Sequence, residues 1–102
     1  RLMSVDIQLD EKIKQVIKEP SKYKVVMVND NTTPIDWVID ILMRIFKHSS
    51  ESAEQLTLAI HNEGSAIAGI YNFEIAEQKS SETITASRSN GFPLTVTLEE
   101  TK

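Results

Sequence analysis

Apolar and polar positions follow two rhythms along this chain, and the switches between them mark its elements. Tyr23-Lys24-Val25-Val26-Met27-Val28 is a β-branched, apolar run that predicts a strand over about 23–29. The run stops at Asn29-Asp30-Asn31-Thr32-Thr33, five consecutive side chains that each offer an oxygen acceptor. Pro34 suits the first turn of a helix, with Thr33 as the expected N-cap and Asp36 favourably placed in the first turn. Trp37, Val38, Ile41, Leu42, Ile45 and Phe46 then recur on one helical face.

A second helix is expected after Ser49-Ser50, capped through Ser50 with Ala53 and Glu54. Its apolar side is read as Ala53, Leu56, Leu58, Ala59 and Ile60, and Gly64 ends it. Residues 66–72 read as a short buried strand. A third helix opens near Phe73 and runs through Ile75, Ala76, Ser80, Ile84 and Ala86 to about Ser89, where Asn90-Gly91 is a stop signal. Pro93 leads into an alternating strand over 94–99.

The resulting order, β-α-α-β-α-β, predicts an α+β domain. Three strands cannot cover three helices on both faces, so the helices are expected on one face of a small three-stranded antiparallel sheet. The core domain is read as residues 22–102. Residues 1–21 precede it as a polar extension, flexible or weakly helical, with Ile7, Leu9, Ile13, Val16 and Ile17 at loose helical spacing.

Composition narrows the class. A chain of 102 residues with 40% apolar content has the size of one domain. It lacks cysteine, which removes disulfides, thiolate metal sites and a cysteine nucleophile. The net charge is −4 with no cluster of Lys and Arg, so no nucleic-acid partner is expected. No apolar run reaches membrane-spanning length and residues 1–19 contain no signal-peptide core, so the expectation is a cytoplasmic protein without membrane contact.

Catalytic chemistry finds no support. The serines lie at helix edges or on polar faces, outside any strand-turn-helix elbow. The two histidines, His48 and His61, sit in different helical segments and supply too few ligands for zinc. His48 reads as a polar cap in a last helical turn. No Gly-rich phosphate loop is present. Neither a catalytic residue nor a metal nor a cofactor is therefore expected. His61 by itself reads as a helix-end histidine satisfied by a carbonyl; together with Asn29-Asp30-Asn31 it opens a second reading, in which both converge on one cation.

Four ordered pieces carry a family resemblance: Tyr23-Lys24-Val25-Val26-Met27-Val28-Asn29-Asp30, Thr33-Pro34, Ala59-Ile60-His61-Asn62-Glu63-Gly64 and Glu74-Ile75-Ala76-Glu77. With them the chain resembles the bacterial ClpS family over roughly residues 20–99. These are adaptors that deliver N-degron substrates to the ClpA or ClpC unfoldase of the Clp protease. The resemblance implies a fold similar to the C-terminal domain of the ribosomal stalk protein. It implies that Asn29, Asp30, Asn31 and His61 grip the free α-amino group of a substrate. It implies a pocket for the first side chain, preferring Leu, Phe, Tyr or Trp, made by Thr33, Ile35, Val38, Thr57, Ile60 and Leu94. Glu74, Glu77 and Lys79 correspond to the segment that docks on the N-terminal domain of the unfoldase. The implied partners are that domain and the N-terminal peptides of substrates, with the adaptor itself a monomer.

Three positions depart from the family's common pattern. Asn31 stands where an Asp is usual, Ile35 where a gatekeeping Met is usual, and Thr57 where a second Met lies deep in the pocket. Together they imply a pocket of altered volume with a polar spot, shifted toward Tyr or Trp over Leu. The same departures leave a rival function open: a module of this fold that docks on the unfoldase as a regulator, with altered or lost N-degron recognition.

Overall fold

The computed structural model describes residues 21–101. The extension read over residues 1–21 lies outside them except for Ser21. Six elements follow in order: β1 (Lys22–Val28), α1 (Ile35–Arg44), α2 (Ser50–Glu63), β2 (Ser65–Asn72), α3 (Phe73–Ser89) and β3 (Thr95–Glu100). The strands form one antiparallel sheet in the order β2-β1-β3. The α+β class and the β-α-α-β-α-β order are those expected.

The central place of β1 explains its unbroken apolar run. Val25 and Met27 point into the core, where they meet Val38, Ile41, Leu42 and Phe46 from the α1 segment, Ala53 and Ile60 from α2, Ala76 from α3, and Ala68, Leu94 and Val96. Val26 is also buried, between Ile67 of β2 and Thr97 of β3. With β1 in the middle, β2 is an edge strand rather than the buried strand expected. Of its residues only Ala68 is buried, while Ile67 and Ile70 are 41% and 52% exposed. The register jumps between Val25 and Val26: Val25 faces Gly69 and Val26 faces Ile67, so Ala68 is one residue in excess, a β-bulge.

Helix ends correct three expectations. Pro34, not Thr33, is the N-cap of α1, and no side chain caps it. The N-cap of α2 is Ser49, whose hydroxyl accepts from the Ser52 N–H at 3.1 Å, one residue before the expected Ser50. His48 lies beyond α1, because that helix closes earlier: the His48 N–H returns to the Leu42 carbonyl around Lys47, which takes φ 63.

The buried face of α3 is Ala76, Ser80, Thr83 and Ser87, whereas Ile75 is exposed. Small residues at i, i+4, i+7 and i+11 let the helix lie close to its neighbours. Their hydroxyls find partners: Thr83 donates to the Lys79 carbonyl, and Ser87 accepts from the Trp37 indole at 3.0 Å, which ties α3 to α1. No buried side-chain polar atom among the described residues lacks a partner. Arg88 donates to the Phe92 and Leu94 carbonyls at 3.0 and 2.8 Å, fixing the approach to β3 and with it the side chain of Leu94.

Candidate functional site

The turn after β1 is tied to the end of α2. The Asn29 N–H donates to the Gly64 carbonyl at 2.8 Å. Gly64 is the C-cap of α2 at φ 96, a left-handed conformation that a side chain disfavours, and its own N–H closes on Ile60. His61, in the last turn of α2, is thereby held beside Asn29.

Asp30 closes the turn on itself. Its carboxylate accepts from the N–H groups of Thr32 and Thr33, at 3.3 and 3.0 Å, and from the Thr33 hydroxyl. Pro34 is still extended, at ψ 147, and so takes the N-cap position itself, which leaves Thr33 one residue outside α1. The Thr33 hydroxyl, with the two N–H groups, holds the Asp30 carboxyl below its ordinary value of 3.8.

Between this turn, the start of α1, the α2 face and Leu94 opens a pocket of about 180 Å³. Asn29, Asp30, Asn31, Thr33, Ile35, Val38, Thr57, Ile60, His61 and Leu94 all line it. Every residue expected of the amine grip and of the side-chain pocket therefore meets in one place. Asn29, Asn31 and His61 are solvent-exposed and bring polar atoms, while Val38, Thr57, Ile60 and Leu94 are buried and form the inner wall. Val28 lines the pocket too and was not anticipated. Strand alternation groups it with Val26, away from Val25 and Met27, and only its place beside Asn29 signals it. The Thr57 hydroxyl donates back to the Ala53 carbonyl at 2.7 Å, so its lone pairs are what it can still offer.

A shallower groove of about 250 Å³ adjoins the pocket. Ile35, Thr57 and His61 belong to both, and Ile39, Glu54 and Leu58 complete the groove. Leu58 was expected to pack in the core, yet it is 59% exposed.

The remaining expected site residues lie elsewhere. Glu74 and Glu77 are exposed at the start of α3. Lys79 is half-buried: its ammonium donates to the Ile45 carbonyl at 2.7 Å and lies over the rings of Tyr71 and Phe46, 5.4 and 6.0 Å from their centroids. Tyr71 itself lies over Gly69, where a Cβ would collide with the ring. His48 stands apart from the pocket and bridges Ala68 and Ser52. Among the described residues no group of three His, Asp or Glu could hold a metal ion, and no helix is long and apolar enough to cross a membrane.

Comparison with known proteins identifies the family. Residues 18–97 match the family model described as ATP-dependent Clp protease adaptor protein ClpS. The ClpS adapter proteins of Escherichia coli O1:K1 and Shigella boydii serotype 18 are each 42% identical over 98 residues, covering 96% of this chain and 92% of theirs. The structure of Agrobacterium tumefaciens ClpS2 bound to L-phenylalaninamide superposes with a TM-score of 0.78 at 33% identity, over 80% of this chain and 99% of that one. This chain belongs to the ClpS family, the adaptor proteins of the ATP-dependent Clp protease.

Proposed function

We propose that this adaptor binds the free N-terminus of substrate proteins through their α-amino group and a bulky apolar first residue, and delivers them to a Clp AAA+ unfoldase. The observation that carries this reading is the convergence of Asn29, Asp30, Asn31 and His61 with a buried apolar wall on one pocket. An ammonium has three donors and needs acceptors around it. The Asn29 side-chain carbonyl, an unprotonated His61 nitrogen and the oxygens of the turn meet that need. An internal peptide bond offers one N–H with chain on both sides, so the same site rejects it.

The pocket's dimensions suit the second half of the task. A cavity of about 150 Å³ accommodates a benzene ring, and this one measures about 180 Å³. Burying about 150–250 Å² of aromatic side chain at roughly 25 cal/mol per Å² contributes about 4–6 kcal/mol before association entropy is subtracted. The L-phenylalaninamide bound by the similar Agrobacterium protein combines a free α-amine with an aromatic side chain, the two features this pocket would read. Neither step breaks a bond, so the role is non-enzymatic. Delivery is assigned to the exposed start of α3, where Glu74 and Glu77 would contact the unfoldase's N-terminal domain; Lys79 would hold that surface in place.

The test is a titration with two fluorescent Phe-led peptides that differ only in N-acetylation. The free-amine peptide alone should bind, and His61→Ala should abolish binding. Failure of both peptides to bind a folded protein would favour the regulatory module that docks on the unfoldase without reading termini.

A further inference from the structure

The pocket and its neighbouring groove are one continuous surface. His61, Leu58, Thr57 and Glu54 occupy i, i−3, i−4 and i−7 of α2 and therefore share a face of that helix. Ile35 and Ile39, one turn apart on α1, form the opposite side. Walking along α2 from His61 to Glu54 covers about 10.5 Å of helix axis. Along that path the lining changes from polar, through the exposed apolar Leu58 and Ile35, to a single carboxylate, with no Lys or Arg in the groove.

We infer that this groove receives the second residue of the bound terminus and that Glu54 selects lysine or arginine there. The inference rests on the terminus reading above. With the α-amine at His61 and the first side chain in the pocket, the second Cα lies about 3.8 Å from the first. A lysine stem of about 6 Å then brings its ammonium to the level of Glu54. The methylenes lie on Ile39 and Leu58 while the cation stays in water beside the carboxylate, the usual disposition of a long basic side chain on an apolar surface. An acidic second residue would bring a like charge to Glu54 and is disfavoured. This also accounts for the exposure of Leu58: a leucine facing solvent on α2 has a use if a substrate side chain covers it.

The experiment compares free-amine Phe-Lys, Phe-Ala and Phe-Glu peptides of otherwise identical sequence, with N-acetyl-Phe-Lys as control, on the unmodified protein, Glu54→Gln and Glu54→Lys. Glu54 is exposed, so both variants should fold. Phe-Lys should bind about two- to fivefold more tightly than Phe-Ala, the range for an exposed ion pair, and the advantage should shrink as salt is raised. Glu54→Gln should remove it, and Glu54→Lys should move Phe-Glu to the top. If the free-amine peptides bind but keep the same order in all three proteins, the Glu54 assignment is overturned and the terminus reading survives. If no free-amine peptide binds, or the acetylated one binds equally, both fall.

Discussion

The His48 Nε2 lies 2.6 Å from the carbonyl oxygen of Ala68, the residue that β2 carries in excess of β1. A bulge leaves its extra residue outside the strand ladder, and a buried carbonyl without a donor is destabilising. The ring must donate at Nε2, since a carbonyl only accepts, and its Nδ1 meets the Ser52 hydroxyl at 3.2 Å. The imidazole thus joins the bulge of the edge strand to the first turn of α2. The same helix carries His61 to the pocket at its other end, so the two histidines bracket one element in separate roles.

His48→Ala should therefore lower stability and leave recognition alone. Stranding the Ala68 carbonyl should cost about 1–3 kcal/mol, read as a lower urea midpoint, with part recovered in His48→Gln. Affinity for a Phe-led peptide should stay within about twofold, since His48 does not line the pocket. A His48 variant that is stable but does not bind would contradict this division.

A comparable separation applies to the start of α3. Lys79 holds the Ile45 carbonyl and lies over two rings, whereas Glu74 is exposed. Lys79→Met should lose about 1.5–3 kcal/mol of stability, the range for a hydrogen bond to a charged group. Glu74→Lys should change stability by less than about 0.5 kcal/mol and weaken binding to the unfoldase's N-terminal domain. Chemical denaturation alongside a pull-down with that domain separates the two. Equal stability of both variants would remove the structural role assigned to Lys79.

Much of this was legible from pattern, and the parts that were not share a cause. β1, the Gly64 stop and the Asn90-Gly91 stop follow from local chemistry, and the structure places each where the residues indicate. The helix starts shifted by one residue because the N-cap is the last residue with extended backbone, and side-chain type alone does not say that this is Pro34, at ψ 147, and Ser49, at ψ 163. The buried face of α3 was hidden because Ser80, Thr83 and Ser87 read as polar until their partners are seen. Strand order was hidden as well, so residues 66–72 read as a buried strand although β2 is an edge that exposes Ile67 and Ile70. The pocket's members came from motif resemblance rather than periodicity: Thr33, Thr57 and Leu94 are far apart in sequence and meet only in the fold.

Acid should test the turn. The Asp30 carboxyl is held below 3.8 by the Thr33 hydroxyl first, with the Thr32 and Thr33 N–H groups. A carboxyl whose folded pKa is depressed contributes stability that is fully present above its unfolded value and is lost as pH falls through the folded one. Unfolding midpoints of the protein and of Asp30→Asn should therefore differ by a constant amount from neutral pH down to about pH 5 and converge below about pH 4. A gap that persists unchanged at pH 2.5 would mean that the carboxylate charge is not what closes the turn.

Thr57 should decide which first residue is favoured. Its side chain is buried on the inner wall of the pocket, and its hydroxyl proton is committed to Ala53 at 2.7 Å. All the hydroxyl can still offer a ligand is then an acceptor, which suits one that donates: the phenol of Tyr or the indole N–H of Trp, but neither Phe nor Leu. A neutral hydrogen bond of about 0.5–1.5 kcal/mol corresponds to about two- to twelvefold in affinity. Peptides led by Tyr or Trp should gain by that factor over their Leu-led counterpart beyond any difference in buried area. Thr57→Val keeps the shape and removes the acceptor, so it should erase the gain of Tyr over Phe while leaving Phe binding nearly intact. Thr57→Met should fill the space as well and shift the ranking back toward Leu. If Tyr and Phe bind alike in the unmodified protein, or Thr57→Val leaves their ratio unchanged, the hydroxyl is only a helix bond to Ala53 and selectivity lies in pocket volume alone.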